Sequence, residues 1–206
     1  MKKYISMFAM ALTLSWGFTA CSVETDENPG GTAIQNMCGY WDVQIDAVDA
    51  SGKVFIDTDG DAWYDPFSIG VTTLYTYNTA SNSATEMWIE GDGKGSFYDF
   101  KFKAPIDYAA GSFTATNIPY DPDEQEIADS IAAGNPILDD DGVTPLVPGT
   151  ATITDAKIML GVAKNLHGMP CDSISFIISF SDDKNPAQYG YAAYRVYGTR
   201  HTGFTE

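Results

Sequence analysis

The stretch Gly39-Tyr40-Trp41-Asp42-Val43-Gln44-Ile45-Asp46-Ala47 decides the fold. Trp41, Val43, Ile45 and Ala47 fall on one side of a period of two, and Asp42, Gln44 and Asp46 on the other. That is the pattern of a strand with one buried and one solvated face. The same period recurs down the chain. Ile69 to Tyr77 is rich in Thr and Tyr, and Ser112 to Ile118 lies further on. Between them, Glu86 to Glu90 and Phe97 to Ala104 flank the turn Gly91-Asp92-Gly93-Lys94-Gly95, where glycine supplies positive φ. Thr150 to Val162 reads as a long strand bent near Asp155. Ile174, Phe176, Ile178 and Phe180 alternate with Ser175, Ile177 and Ser179, and Gln188 to Gly198 follows across the turn Asp182-Asp183-Lys184-Asn185-Pro186.

One helix interrupts the strands. Asp121 is its cap, Pro122 suits the first helical position, Glu124 and Glu126 favour the N-terminal dipole and Gly134 ends it. Asn135 to Gly149 is then a long Pro/Asp/Gly loop. Eight evenly spaced strands, mostly joined by hairpins, predict an all-β chain. The expected form is an antiparallel up-and-down barrel with one short helix, because closure removes the exposed edges of an open sheet. A two-sheet β-sandwich is the alternative.

The chain has 206 residues, 44% hydrophobic, 13% aromatic and 19% charged, which is enough apolar material for one sizeable core. Its 11 basic and 28 acidic residues give a net charge of −17, which excludes nucleic acid as a partner, since phosphate binding needs clustered Lys and Arg. Adhesion to anionic lipid through a basic patch is disfavoured too, but covalent lipidation is not.

Lys2 and Lys3 precede an uncharged run from Tyr4 to Ala20, the layout of an export signal. Phe18-Thr19-Ala20-Cys21 resembles the lipobox of bacterial lipoproteins, which implies cleavage before Cys21 and its diacylation. The expected organisation is a signal peptide over 1–20, an acidic flexible tether over 21–35 and a barrel domain over 36–206. The tether's Ser22-Val23-Glu24-Thr25-Asp26-Glu27-Asn28-Pro29-Gly30-Gly31 also resembles the surface-export signal of lipoproteins in gut Bacteroidetes. The expected location is the outer membrane, at the cell surface or in the periplasmic leaflet.

Gly39-Tyr40-Trp41 at the first strand and Arg200 after the last resemble the G-x-W and terminal arginine of lipocalins and other calycins. The resemblance implies that Arg200 lies over the Trp41 ring and closes one end of the barrel. A fuller set comprises Gly39-Tyr40-Trp41-Asp42-Val43, Tyr77-Asn78-Thr79-Ala80, Glu86-Met87-Trp88-Ile89, Phe180-Ser181-Asp182-Asp183 and Arg200-His201-Thr202-Gly203-Phe204. Behind a lipobox, this set resembles the Bacteroides lipoproteins called lipid-binding putative hydrolases, with calycin-like barrels, over about residues 36 to 206. The helix and loop from Pro122 to Pro148 look like an enlargement between two strands. No catalytic residues come with the resemblance.

A Ser-His-Asp triad needs an imidazole, and only His167 and His201 are available. Neither a G-x-S-x-G elbow nor H-E-x-x-H occurs, and no cofactor motif is found. Paired carboxylates for glycoside hydrolysis are decided by separation in space, which sequence does not give. Asp57, Asp59, Asp61 and Asp65 resemble a calcium loop, but an EF-hand wants glycine sixth and glutamate twelfth, where Ala62 and Ser68 stand. An acidic loop without metal is the expectation. Cys38 and Cys171 precede strands one and seven at the same end of the barrel. A disulfide between them competes with the width of strand eight, which lies in between.

The expected function is binding of a lipid or other small apolar molecule, with a lipid anchor at Cys21 as the tie to the membrane. Met87, Ile89, Phe100, Phe102, Phe176, Ile178 and Phe180 are the inward set, over a floor that includes Trp41. They line a pocket or fill a solid core, and residue size decides which. The alternative is recognition of proteins or glycans through the loops, with Trp63, Tyr64 and Tyr120 as the aromatic contacts or as barrel caps. A hydrolase of unknown type is the third reading.

Overall fold

The computed structural model describes residues 30–93, 97–165, 168–201 and 203. The chain divides into two units, Met1–Gly31 and Thr32–Glu206, and every described element lies in the second. The expected signal peptide, Cys21 and most of the tether lie outside the described residues.

Packing begins before residue 36. Ile34 and Met37 are buried and a 3-10 turn runs Gln35–Met37, so the last residues assigned to the tether belong to the domain. The strands follow as β1 (Gly39–Val48), β2 (Thr72–Asn78), β3 (Glu86–Gly91), β4 (Phe100–Asp107) and β5 (Ser112–Pro119). After helix α1 (Pro122–Ala132) come β6 (Thr150–Lys164), β7 (Pro170–Phe180), the short helix α2 (Asn185–Tyr189) and β8 (Ala193–Arg200). All neighbours are antiparallel, and β8 returns to β1 to close the barrel in chain order. The sandwich alternative falls, because one closed sheet leaves no second layer.

The period of two does its work here: Trp41, Val43, Ile45, Met87, Ile89, Phe100, Phe102, Ile174, Phe176, Ile178 and Phe180 all enter one continuous core. Several boundaries need correction: β2 begins at Thr72 and not at Ile69, and β4 at Phe100 and not at Phe97. The eighth strand begins at Ala193 and not at Gln188, because Asn185-Pro186 starts a helical turn that Gly190, at φ 91°, ends in the left-handed conformation. The expected bend in β6 is a bulge. Asp155 sits at φ 51° and the β6–β7 register shifts between Thr154 and Lys157.

The two ends of the barrel differ. At the end where β1 starts and β8 finishes, the loops are short and the 3-10 turn lies across the opening. At the other end the loops are long. There β1 pairs with β2 only from Gly39 to Val43. Beyond that point the backbone of β1 bonds to the β1–β2 loop: Phe55 N donates to Ala47 O at 2.9 Å, Ala47 N to Trp63 O at 3.0 Å and Asp65 N to Ile45 O at 3.0 Å.

Candidate functional site

The closed end is built around Trp41, which is fully buried. The Arg200 guanidinium carbon lies 4.7 Å from the ring centroid, and Arg200 is the cross-strand partner of Trp41 between β8 and β1. The guanidinium also donates to the carbonyls of Cys38 and, at 3.1 Å, Asn36, and its Nε is 2.8 Å from Asp172 Oδ2. Trp41 Nε1 donates to Thr76 Oγ1 at 2.9 Å, and that hydroxyl donates to Met37 O at 2.6 Å. Both polar ends of this closure are therefore tied to the 3-10 turn beneath it. Gly39 makes room: a Cβ there would lie 2.9 Å from Trp41 Cε2 and 3.1 Å from Arg200 Nη1.

The open end is filled with aromatic rings. Phe67 and Phe97 pack on Tyr194 at 5.2 and 5.5 Å between centroids, and Tyr98 stacks on Phe180 at 3.9 Å. Tyr194 donates to Asp183 Oδ2 at 2.5 Å and shares a 2.6 Å bond with the Tyr191 hydroxyl. Burial pushes the Tyr191 phenol up to about 12, and burial with the Asp183 hydrogen bond raises Tyr194 further. Of the three loop aromatics, Trp63 packs on Tyr189 at 5.2 Å and donates Nε1 to Asp57 Oδ2 at 3.0 Å. Tyr120 sets its edge on Phe180 and its hydroxyl on Asp182. Tyr64 stays exposed.

Between these ends the wall has a seam. β4 and β5 are in register only at Ile106↔Phe113 and Asp107↔Ser112. Amides alternate sides along a strand. Lys101 N donates across the seam to Tyr120 O at 2.7 Å, and Ile106 N donates the other way, to Thr85 O at 3.0 Å. Residue 105 therefore faces β5, and it is proline, with no N–H to give. On the facing strand, Asn117 is at φ 51° and the register to β6 shifts on either side of Ala115. It is held away by Thr152, whose Oγ1 accepts from Asn117 N at 3.2 Å.

A cleft of about 420 Å³ occupies this seam. Trp88, Ile118, Pro119 and Pro122 give it apolar walls, and Phe102, otherwise part of the core, also borders it. Lys101, Lys103, Asp121 and Gln125 are its polar contacts. α1 forms one wall because Asp121 caps it through the Glu124 amide at 2.8 Å, and Glu124 Oε2 accepts from Gly149 N at 2.6 Å, pinning the helix to the start of β6. Lys103 lies 5.4 Å from the Trp88 ring centroid and 3.8 Å from Glu86. Lys101 is 3.0 Å from Glu90, which also accepts from Tyr77 at 2.6 Å. That phenol hydrogen bond, with the lysine beside it, holds the Glu90 carboxyl below the ordinary range, and the Glu90 partner raises Lys101.

Sequence reasoning missed this cleft; Pro105 and Pro119, just past the ends of the predicted strands Phe97 to Ala104 and Ser112 to Ile118, were the nearest signal for it. Of the inward set, Met87, Ile89, Phe100, Phe176, Ile178 and Phe180 are buried together in the core, whereas Phe102 also borders the cleft. Cys38 and Cys171 are separate thiols, not a disulfide. Cys38 Sγ bonds to Ile34 O at 3.4 Å, and β8 between β1 and β7 imposes about two strand spacings, ~9.6 Å, against a limit of ~7 Å for a bridge.

His201 Nδ1 lies 2.8 Å from Asp42 Oδ2, and its ring packs on Tyr40 at 4.4 Å. Among the described residues no hydroxyl is hydrogen-bonded to it. His167 lies outside the described residues. Asp57 accepts from the amides of Asp59 and Asp61 at 3.0 and 2.9 Å, so its carboxylate serves the turn. Among the described residues no three His, Cys, Asp or Glu side chains converge as metal ligands. Residues 26–205 match the model of a protein family described as lipid-binding putative hydrolase. No curated protein matches the chain.

Proposed function

Because the chain belongs to the lipid-binding putative hydrolase family, whose model spans nearly all of the barrel domain, we propose that it binds a lipid or other small apolar ligand at the β4–β5 seam. The observation that carries this reading is the cleft itself, bordered by Phe102 and by apolar side chains of β3, β5 and α1 along the stretch where β4 and β5 have no register pairs. Its volume lies within the range of small-molecule sites, and an acyl chain laid against Trp88, Ile118, Pro119 and Pro122 would gain about 25 cal/mol per Å² buried. Lys101 and Lys103 stand where an anionic head group would emerge. The chemistry is recognition: the cleft joins apolar walls to two lysines, each also paired with a glutamate, and the His201–Asp42 pair belongs to the closed end.

The protein is held at the outer membrane through acyl chains on Cys21, on the cell-surface or periplasmic leaflet. Lys2, Lys3 and the run ending Phe18-Thr19-Ala20-Cys21 support this, and two acyl chains anchor stably.

Titration with a fluorescent fatty acid tests the ligand site. Ile118→Asp, at a half-buried position of the cleft, is expected to weaken binding by at least about ten-fold, since it places a charge on an apolar wall. Ser175→Asp on the far wall is expected to leave it unchanged. Equal affinity in wild type and a folded Ile118→Asp would refute the site.

A further inference from the structure

At 15 residues β6 is the longest strand, and its hairpin with β7 outruns its neighbours. The last register pair of β5 with β6 is Ser112↔Lys157, and the first of β7 with β8 is Ser173↔Thr199. Beyond them β6 and β7 pair only with each other, through Ala163↔Cys171 and Lys164↔Pro170. This projecting ribbon carries Met159, Leu160, Val162 and Met169 at 40 to 63% exposure. Four apolar side chains so exposed on one short two-stranded ribbon, spread over both of its faces, are surface that a partner would cover.

Charge indicates which partner. The chain holds 28 acidic residues, yet the segment from Ala156 to Cys171 has none, and it has Lys157 and Lys164. Asp172, within the ribbon opposite Gly161, is taken up by Arg200 and by the Gly161 amide. An apolar ribbon with two lysines, whose one carboxylate is already paired, suits a lipid surface whose head groups include anions. The acidic remainder of the barrel lies farther from such a surface and is screened beyond ~8 Å at physiological ionic strength.

Position agrees. The ribbon projects from the closed end, the end where Thr32 enters the barrel. Ten residues lie between Cys21 and Thr32, and the eleven steps reach at most ~36–40 Å, so acyl chains on Cys21 would hold this end toward the bilayer. We infer that the β6–β7 ribbon is a membrane-contacting tip, inserting Leu160, Val162 and Met169 among lipid head groups and orienting the barrel with its long-loop end away from the membrane. The orientation rests on the anchoring of Cys21. The contact itself does not.

The test uses the chain from residue 21 with Cys21→Ser, which has no acyl chains and keeps every barrel element. It is sedimented with vesicles of equal parts phosphatidylglycerol and phosphatidylcholine. Wild type is expected to sediment with the vesicles, and Leu160→Asp/Val162→Asp to partition at least about ten-fold less. Val143→Asp/Val147→Asp, a still more exposed pair in the loop at the opposite end, is expected to match wild type. Fatty-acid titration of the same samples separates this tip from the cleft and shows that each variant is folded. No sedimentation of wild type, full sedimentation of Leu160→Asp/Val162→Asp, or equal losses in both double variants would overturn the inference.

Discussion

Arg200 lies over the Trp41 ring, 4.7 Å from its centroid, while its guanidinium holds two carbonyls of the segment that crosses the barrel's closed end. One side chain thus contributes a cation–π contact, hydrogen bonds and cover for a fully buried ring. Arg200→Ala is expected to lower stability by about 2–4 kcal/mol, with cation–π loss of roughly 0.5–2 and the rest from unpaired carbonyls. Arg200→Lys is expected to recover less than half, because an ammonium lacks the planar fork. Urea unfolding of the three proteins measures this.

Gly39 is the other half of that closure. Its missing Cβ would stand 2.9 Å from the Trp41 ring, and the rigid indole is fixed by Thr76. Gly39→Ala is expected to cost about 1–3 kcal/mol through overpacking. In the double variant with Trp41→Phe the cost is expected to shrink, since the smaller ring vacates the contact. Additivity of the two losses in a double-mutant cycle would contradict the steric account.

The open end predicts a pH dependence. Tyr98, Tyr120, Tyr191 and Tyr194 all titrate above the ordinary phenol range, chiefly through burial. The folded state therefore keeps protons that the unfolded chain releases near pH 10. The stability this represents is intact below pH 10 and declines as pH rises, the Tyr191 share being spent by about pH 12. Tyr194→Phe removes one such group and leaves Asp183 without its phenol donor. It is expected to cost about 1–3 kcal/mol at pH 7 and to make the alkaline decline shallower. Unfolding curves from pH 7 to 12 test both signs.

The strands that sequence revealed are those with a dry face and a wet one. Trp41, Val43 and Ile45, or Ile174, Phe176 and Ile178, alternate because a barrel wall has two sides. Where a segment lacked that contrast, the reading slipped: Gln188 to Ala192 is apolar enough for a strand, but Pro186 and Gly190 make it a helical turn and its exit. The cleft was illegible for a different reason. Trp88, Ile118 and Pro122 come from three elements and meet only because two strands fail to pair. A missing N–H at Pro105 is visible in sequence, but the direction it faces depends on the register of β4 with β3. The closing pair of Gly39-x-Trp41 and Arg200 needed no register, since a motif carried it.

Asn117 offers the sharpest test of the seam. Its left-handed φ of 51° swings β5 out of line, and its side chain holds Thr152, whose Oγ1 donates to Asn117 Oδ1 at 3.3 Å. A β-branched residue cannot occupy that conformation without about 1–2 kcal/mol of strain. Asn117→Val is thus expected to lower stability by about 1–3 kcal/mol once the Thr152 contact is also lost, or to relax the bulge. Relaxation would turn Ile118 and Pro119, which line the cleft, out of place. Asn117→Gly accepts positive φ freely and is expected to keep fatty-acid affinity within about two-fold of wild type, at a stability cost near 1 kcal/mol for the lost side chain. Asn117→Val is expected to weaken that affinity at least about five-fold. The comparison works because both variants lose the same side-chain hydrogen bonds and differ in backbone freedom. If glycine and valine weaken binding alike, the Asn117 side chain and not the bulge matters to the ligand. If neither weakens it, the ligand does not enter at the β4–β5 seam.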